Sequence, residues 1–277
     1  MASPLTLHAR AKINLHLRVL GRLPNGYHAV ETVYHSVALA DALIFERADD
    51  GVTIACDDPT IPADGSNLVA RAADAFFGFT GIKGGLTVGI TKRIPAGAGL
   101  GGGSADAAAT LVALNRIYGT RYPEAVLERI GTVVGADVPF CVRGGAAWGV
   151  GTGTVLSSLP PARASRILLV TPGIHVDTAW AYRALSAAPA PGFRLTDGAA
   201  GARILRAGDE PSLAARDEVT NDFERPVFGA HPAVRDIRDR LRSCGGVAMM
   251  TGSGSTVFGV FQDDDSLARA RDALGDQ

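Results

Sequence analysis

The chain is poor in several things that would otherwise suggest a function. Cysteine appears only three times, at Cys56, Cys141 and Cys244. The count is odd and the spacings fit neither a disulfide framework nor a metal-binding pattern, so reduced thiols in a cytoplasmic protein are expected. Six histidines are scattered, with no HExxH and no paired His–Cys spacing, so no zinc or other protein-ligated metal is expected. Excess charge of one sign is missing too. Lys and Arg total 27 and Asp and Glu 28, a net charge of −1, and no long basic run occurs. Nucleic-acid binding by counterion release therefore has no footprint. No stretch of about 18 apolar residues exists to span a membrane. The opening MASPLTLHARAKINL lacks the apolar core of a signal peptide.

What remains is an ordinary globular balance, 47% apolar and 20% charged, in 277 residues. That length allows one large domain or two ordinary ones. The expected partner is a small molecule, with no nucleic acid and no membrane, and the protein is expected as a monomer or weak homodimer.

Hydrophobic periodicity divides the chain. Residues 6–20 alternate, with Ala11, Ile13, Leu15 and Leu17 on one face and Lys12, Asn14, His16 and Arg18 on the other, which predicts a half-buried strand. A turn at 23–28 (LPNGYH) leads to strands at 29–39 and 42–47. Ser66 is placed to cap a helix over 66–79, and 85–92 reads as a strand. Glycines cluster from 97 to 103, and Ser104 is placed to cap a helix running to about 117. A further helix fits 123–134, with strands at 145–149 and 154–157. The segment 157–166 (SSLPPARASR) is the best boundary, giving segments 1–160 and 161–277. Beyond it come a strand at 167–171, a helix at 177–186, a loose Ala/Pro/Gly stretch at 187–201, helices at 221–230 and 232–243, two strands within 246–261, and a helix at 265–274. Strands and helices mix without a regular βαβ alternation, so the fold class is α+β.

The glycine cluster carries the chemistry. Pro95, Ala96, Gly97, Ala98, Gly99, Leu100, Gly101, Gly102, Gly103, Ser104 and Ala105 lie between a predicted strand and a predicted helix. Glycine lets backbone N–H groups approach an anion closely, and a helix N-terminus adds its dipole, so this is a phosphate cradle. It is no P-loop, because no lysine follows the glycines. A GxGxxG match at Gly97, Gly99 and Gly102 lacks the acidic strand end expected about twenty residues on. Glu124 and Glu128, at that distance, fall inside a predicted helix.

The segment PAGAGLGGGSADAA resembles the second motif of the GHMP kinase superfamily. AKINLHLRVLGRLPNGYHAVET at 11–32, GADVPFCVRGGAAWGVGTG at 135–153, NDFE at 221–224 and TGSGSTVFGVF at 251–261 extend the resemblance over most of the chain, toward a branch whose acceptor alcohol carries a cytidine diphosphate. The resemblance implies a two-domain fold with the active site in the cleft between domains, ATP as phosphoryl donor, and Mg2+ bound mainly through the phosphates.

It also implies roles for single residues. Asp137 becomes the base that takes the alcohol proton and Lys12 its cationic neighbour, although on spacing alone Asp137 reads as a helix cap and Lys12 as a solvated side chain. Asn67, Leu68 and Lys92 become the lining of the adenine pocket, where pattern alone suggests a cap, a core residue and a surface charge. Tyr27 and His28 become the cytosine site, with Tyr182 as a second stacking face and Thr178 one helical turn before it. Asn14 is implied at the acceptor alcohol, and Tyr34 nearby.

Overall fold

The computed structural model describes residues 3–160, 166–186 and 220–275. The loose stretch at 187–201 and residues 161–165 of the expected boundary lie outside them. Packing divides the chain into two compact units, each assembled from separate stretches of sequence. One comprises Met1–Lys12, Ser36–Ala96 and Gly101–Gly144; the other comprises Ile13–His35, Gly97–Leu100 and Gly145–Gln277.

Strands β1 (Leu5–Arg22) and β2 (His28–Ala48) pair with each other and contribute residues to both units. The second of these corrects the expectation of two strands at 29–39 and 42–47. Nothing between them turns the chain: Asp41 stays in the strand, wholly buried, and accepts the backbone N–H groups of Arg93 and Ile94. The face of β1 bearing Lys12, Asn14 and His16 was expected to be solvated, but all three are buried.

In the first unit the end of β2 pairs antiparallel with β4 (Gly85–Thr91), from Ala42 opposite Thr91 to Ala48 opposite Gly85. A short strand that the periodicity did not single out, β3 (Gly51–Cys56), lies parallel to β4. Helix α1 (Leu68–Thr80) begins after Asn67, whose side chain accepts the N–H of Val69; Ser66, the expected cap, spends its hydroxyl on Asp64. Helix α2 (Gly102–Ile117) buries most of its Ala- and Leu-rich length. Its cap is Gly101, in the left-handed conformation, so Ser104 lies inside the first turn rather than before it. Helix α3 (Glu124–Gly131) is shorter than expected, and a separate helix α4 (Val138–Arg143) follows with Pro139 in its first turn, a position where the missing proline N–H costs nothing. Leu43, Phe45, Phe76, Leu86, Val88, Leu111 and Leu114 form the core between strands and helices.

In the second unit β5 (Ala146–Val150) pairs antiparallel with residues 32–35 of β2 and with β6 (Val155–Ser158). A three-stranded antiparallel sheet has β9 (Val257–Phe261) between β7 (Arg166–Val170) and β8 (Val247–Met250). Helices α5 (Thr178–Ser186), α6 (Glu224–Ala230), α7 (Pro232–Ser243) and α8 (Asp264–Leu274) belong to the same unit. Its core gathers Phe223, Val227, Phe228, Ile237, Leu241, Met250 and Phe261.

The NDFE motif explains why α6 starts at Glu224 rather than 221. Asn221 donates from its amide to the carbonyls of Met250 and Gly252 and accepts the N–H of Phe223. Asp222 accepts the N–H of Val19, and Glu224 that of Met250. These residues hold the strand end and glycine turn that follow β8.

Candidate active site

In the first unit Lys12 is 4% exposed, and its Nζ lies 3.5 Å from Oδ2 of Asp137. A buried ammonium needs a compensating anion, and the chain supplies one. Asp137 sits in the N-cap position of α4, yet its carboxylate makes no capping hydrogen bond. The pair joins a strand and a helix start that are 125 residues apart, with Asp137 retaining 30% side-chain exposure. A carboxylate both charge-paired and reachable from solvent suits a proton acceptor. Cys141, one turn along α4, is no rival nucleophile: burial, and then the charge of Asp137, push its thiol far up, so it stays protonated.

Gly101 lies against the stem of Lys12. A Cβ there would stand 3.0 Å from Lys12 Cγ and 3.1 Å from Cε. Around it the loop has a regular backbone. Gly97, Gly99 and Gly101 all have φ between 66° and 81°, while the intervening Ala98 and Leu100 do not and are buried. Three glycines of positive φ thus alternate with two buried residues of negative φ, backbone conformations that only glycine adopts readily at the first, third and fifth of these positions. The first helical bond of α2 runs from the Ala105 N–H to the Gly101 carbonyl, so the preceding N–H groups point off the helix end.

The residues implied for the adenine side occupy the same unit. Leu68 faces the loop, with its Cδ1 3.3 Å from where a Cβ on Gly103 would stand. Asn67 accepts from Val69 and donates to the Pro62 carbonyl, so its amide is used in capping. Lys92 lies under Gly102, and its ammonium bonds to Asp41 and, at 2.8 Å, to Asp106. Burial pushes the Asp106 carboxyl up to about 7, against the pull of Lys92.

In the second unit Asn14 is fully engaged. Its amide donates to Thr32 Oγ1 at 2.8 Å, its Oδ1 accepts the Gly252 N–H at 3.0 Å, and its backbone N–H reaches Thr251 Oγ1. Residues 97–100 of the loop rest on that turn: Thr256 N–H donates to the Ala98 carbonyl, and a Cβ on Gly99 would collide with the Thr251 carbonyl oxygen. Tyr34 is buried against Gly149 and Gly153, so its ring offers no open face.

His28 and Tyr182 are stacked, with centroids 4.4 Å apart and planes 18° from parallel, and Tyr182 meets Phe223 edge-on. His28 Nε2 is 3.3 Å from Ser186 Oγ. Burial, then the Arg22 charge, lowers the His28 pKa, which favours the neutral imidazole. Tyr27 is 66% exposed, and Thr178 hydrogen-bonds Ser253. Asp41 and Thr32 were given no role from the sequence, while Asn221 and Thr251 were marked only as the first residues of the NDFE and TGSGSTVFGVF motifs. Asp41 did carry a visible signal, a single acid inside the otherwise apolar run ALADALIF.

The model of the GHMP kinases N terminal domain matches residues 67–145, and that of the GHMP kinases C terminal matches residues 202–277. The fold agrees: a crystal structure of homoserine kinase from Cytophaga hutchinsonii superposes with a TM-score of 0.73 at 20% identity, over 99% of this chain and 90% of that one. Fold and glycine loop together define a GHMP kinase, which takes ATP as its phosphoryl donor.

Relatives narrow the class. A 4-diphosphocytidyl-2-C-methyl-D-erythritol kinase of Solibacter usitatus (strain Ellin6076) is 44% identical over 98% of this chain and 85% of its own. One from Synechococcus sp. (strain JA-3-3Ab) is 39% identical over 97% and 89%. A crystal structure of 4-(cytidine 5'-diphospho)-2C-methyl-D-erythritol kinase matches with a TM-score of 0.78 and 35% identity, over 98% of this chain and 95% of that one. The chain belongs to the 4-diphosphocytidyl-2-C-methyl-D-erythritol kinase family of GHMP kinases.

Proposed function

We propose that this chain transfers the γ-phosphoryl group of ATP to the 2-hydroxyl of 4-diphosphocytidyl-2-C-methyl-D-erythritol, a step of the non-mevalonate route to isoprenoid precursors. The observation that carries the chemistry is the Lys12–Asp137 pair at 3.5 Å, with Gly101 of the glycine loop against the lysine stem. Asp137 takes the proton of the 2-hydroxyl while that oxygen bonds to the γ-phosphorus. The bond from phosphorus to the β,γ-bridging oxygen breaks, and ADP leaves with the electron pair. Lys12 pairs with the carboxylate and offsets charge on the phosphoryl group in flight.

On this reading the loop at 95–105 holds the triphosphate by its backbone N–H groups. Asn67, Leu68 and Lys92 border the adenine, the lysine through its stem because its ammonium is engaged by carboxylates. His28, stacked on Tyr182, reads the cytosine edge, and Tyr27 supplies an exposed stacking face. Asn14, Tyr34 and Thr178 shape the acceptor side, Asn14 by holding Thr32 and the turn at 251–252. Among the described residues no three His, Cys, Asp or Glu side chains converge on a common point. Mg2+, when bound, would be held mainly through the phosphate oxygens, with the Ser104 hydroxyl near the metal–phosphate group, and would neutralise phosphate charge.

Residues 1–160 and 161–277 are taken as the N- and C-terminal segments, supported by the two family matches falling on either side of that point. We take the protein to be cytoplasmic and a monomer or weak homodimer, without nucleic-acid partners. No helix among the described residues is long and apolar enough to cross a membrane. ADP release with ATP, Mg2+ and a panel of alcohols tests the assignment. Turnover is expected with the cytidine-linked alcohol; turnover with homoserine or mevalonate instead would overturn the substrate.

A further inference from the structure

Beside the glycine loop lies a buried ionic cluster that the transfer reaction leaves unused. Lys92 follows β4, Asp41 lies in the middle of β2, and Asp106 lies at the start of α2. Lys92 Nζ donates to Oδ2 of Asp41 and to Oδ2 of Asp106. Asp41 is wholly buried, and its other oxygen accepts the N–H groups of Arg93 and Ile94. Asp106 is 4% exposed, and its Oδ1 is buried with no hydrogen-bond partner.

The placement of these bonds is informative. Arg93 and Ile94 are the last two residues before the loop, and Asp106 is the first residue after it. One end of the loop is pinned to Asp41 through two backbone bonds, the other carries Asp106, and Lys92 ties the two carboxylates together. Gly102 closes over this link: a Cβ there would stand 2.9 Å from Ile94 Cγ2 and 3.4 Å from Lys92 Nζ. The ends of the loop cannot separate without breaking a charge-assisted bond away from water, where such bonds are strong. A cluster of this kind is a poor source of stability, since apolar side chains of similar volume hold a fold as well or better. Its directional bonds instead fix a geometry.

We propose that Asp41 and Asp106 are positioning residues for phosphoryl transfer, acting through Lys92 to hold the two ends of the glycine loop at the separation a triphosphate requires. The inference rests on the reading of residues 95–105 as the ATP phosphate site. Because Asp41 and Asp106 meet Lys92 only at its ammonium, and its stem borders the adenine, phosphate binding is expected to depend on the two carboxylates while binding of the nucleoside does not.

The test compares ATP with adenosine on the full chain. Asp106→Asn and Asp41→Asn keep the side-chain shapes, and the amide introduced by Asp41→Asn retains an oxygen for the two backbone N–H groups. Calorimetry gives Kd for ATP and for adenosine, and steady-state turnover gives kcat and KM. Each variant is expected to raise Kd and KM for ATP about tenfold, the usual scale for losing one charge-assisted bond, with adenosine affinity and kcat within about twofold. If Asp41→Asn does not fold, Asp106→Asn alone decides. ATP binding as tight as wild type in a folded variant would overturn the proposal. So would a parallel fall in adenosine affinity and thermal midpoint, which is the mark of a merely structural role. Failure of the underlying reading looks different: wild type would itself bind ATP no more tightly than adenosine.

Discussion

Gly101→Ala tests whether the glycine loop and the ion pair work as one device. Gly101 has φ 72° and ψ 23°, a left-handed conformation that costs an L-residue about 1–2 kcal/mol. The new methyl would also stand 3.0 Å from Lys12 Cγ and 3.1 Å from Cε. Carbon–carbon contacts prefer about 3.5–4.0 Å, so the stem must yield by roughly half an ångström or more. Lys12, at 4% exposure, has no solvent to move into, and the shift passes to its ammonium, 3.5 Å from Asp137. Gly81→Ala is the control. Its φ is 68°, but nothing lies within 4 Å of the added carbon, so it carries the backbone strain without the contact. Both variants should lose about 1–2 kcal/mol in urea unfolding, with somewhat more lost at Gly101. Only Gly101→Ala should lose turnover, by about 10- to 100-fold, the scale on which misplacements of up to an ångström act. ADP release from Gly101→Ala within twofold of Gly81→Ala would refute the coupling.

Asp137→Asn should lower turnover by about 10²–10⁴-fold, the usual contribution of a general base, while circular dichroism reports a folded chain. Near-normal turnover in that folded variant would remove Asp137 from the reaction. Asn221→Ala leaves the carbonyls of Met250 and Gly252 without their buried donor, and should cost about 3 kcal/mol in denaturant unfolding. A loss below about 1 kcal/mol would show that water replaces the amide. Asp106 gives stability a pH dependence whose sign follows from its raised pKa. Its folded value of about 7 exceeds the ordinary 3.8, so the folded protein holds a proton that the unfolded chain has released. The stabilisation is fully present below the unfolded value and is lost as pH rises through about 7. The groups facing it are Lys92, Asp41 and, from α4, the protonated Cys141. Urea unfolding of wild type and Asp106→Asn across this window should show the stability of wild type relative to the variant falling with pH; a constant difference would contradict the buried-acid assignment.

Features encoded locally were legible in the sequence. The glycine cluster followed by an alanine-rich run marks the loop and carries α2 to Ile117, because those residues act through backbone conformation and helix propensity. What escaped depends on partners far along the chain. The polar face of β1 reads as solvated because alternation reports only that one face is apolar. The Asn14 backbone finds Thr251 at a separation of 237 residues, which no local pattern encodes. The cap of α1 went to Asn67 rather than Ser66 because Asp64 captured the serine hydroxyl, a competition between two good capping residues. Asp41 shows the same limit: an acid in mid-strand suggests a break until Lys92 and the N–H groups of Arg93 and Ile94 are seen around it. The ion pair was reached through motif resemblance, since Lys12 and Asp137 each have an ordinary reading in isolation.

The most direct measurement is the position of the new phosphate. Wild-type protein is incubated with ATP, Mg2+ and 4-diphosphocytidyl-2-C-methyl-D-erythritol, and the product is read by phosphorus NMR and mass spectrometry. One added phosphomonoester is expected, on the 2-hydroxyl, formed in step with ADP. Release of inorganic phosphate without a phosphorylated alcohol, or phosphate on another hydroxyl, would contradict it.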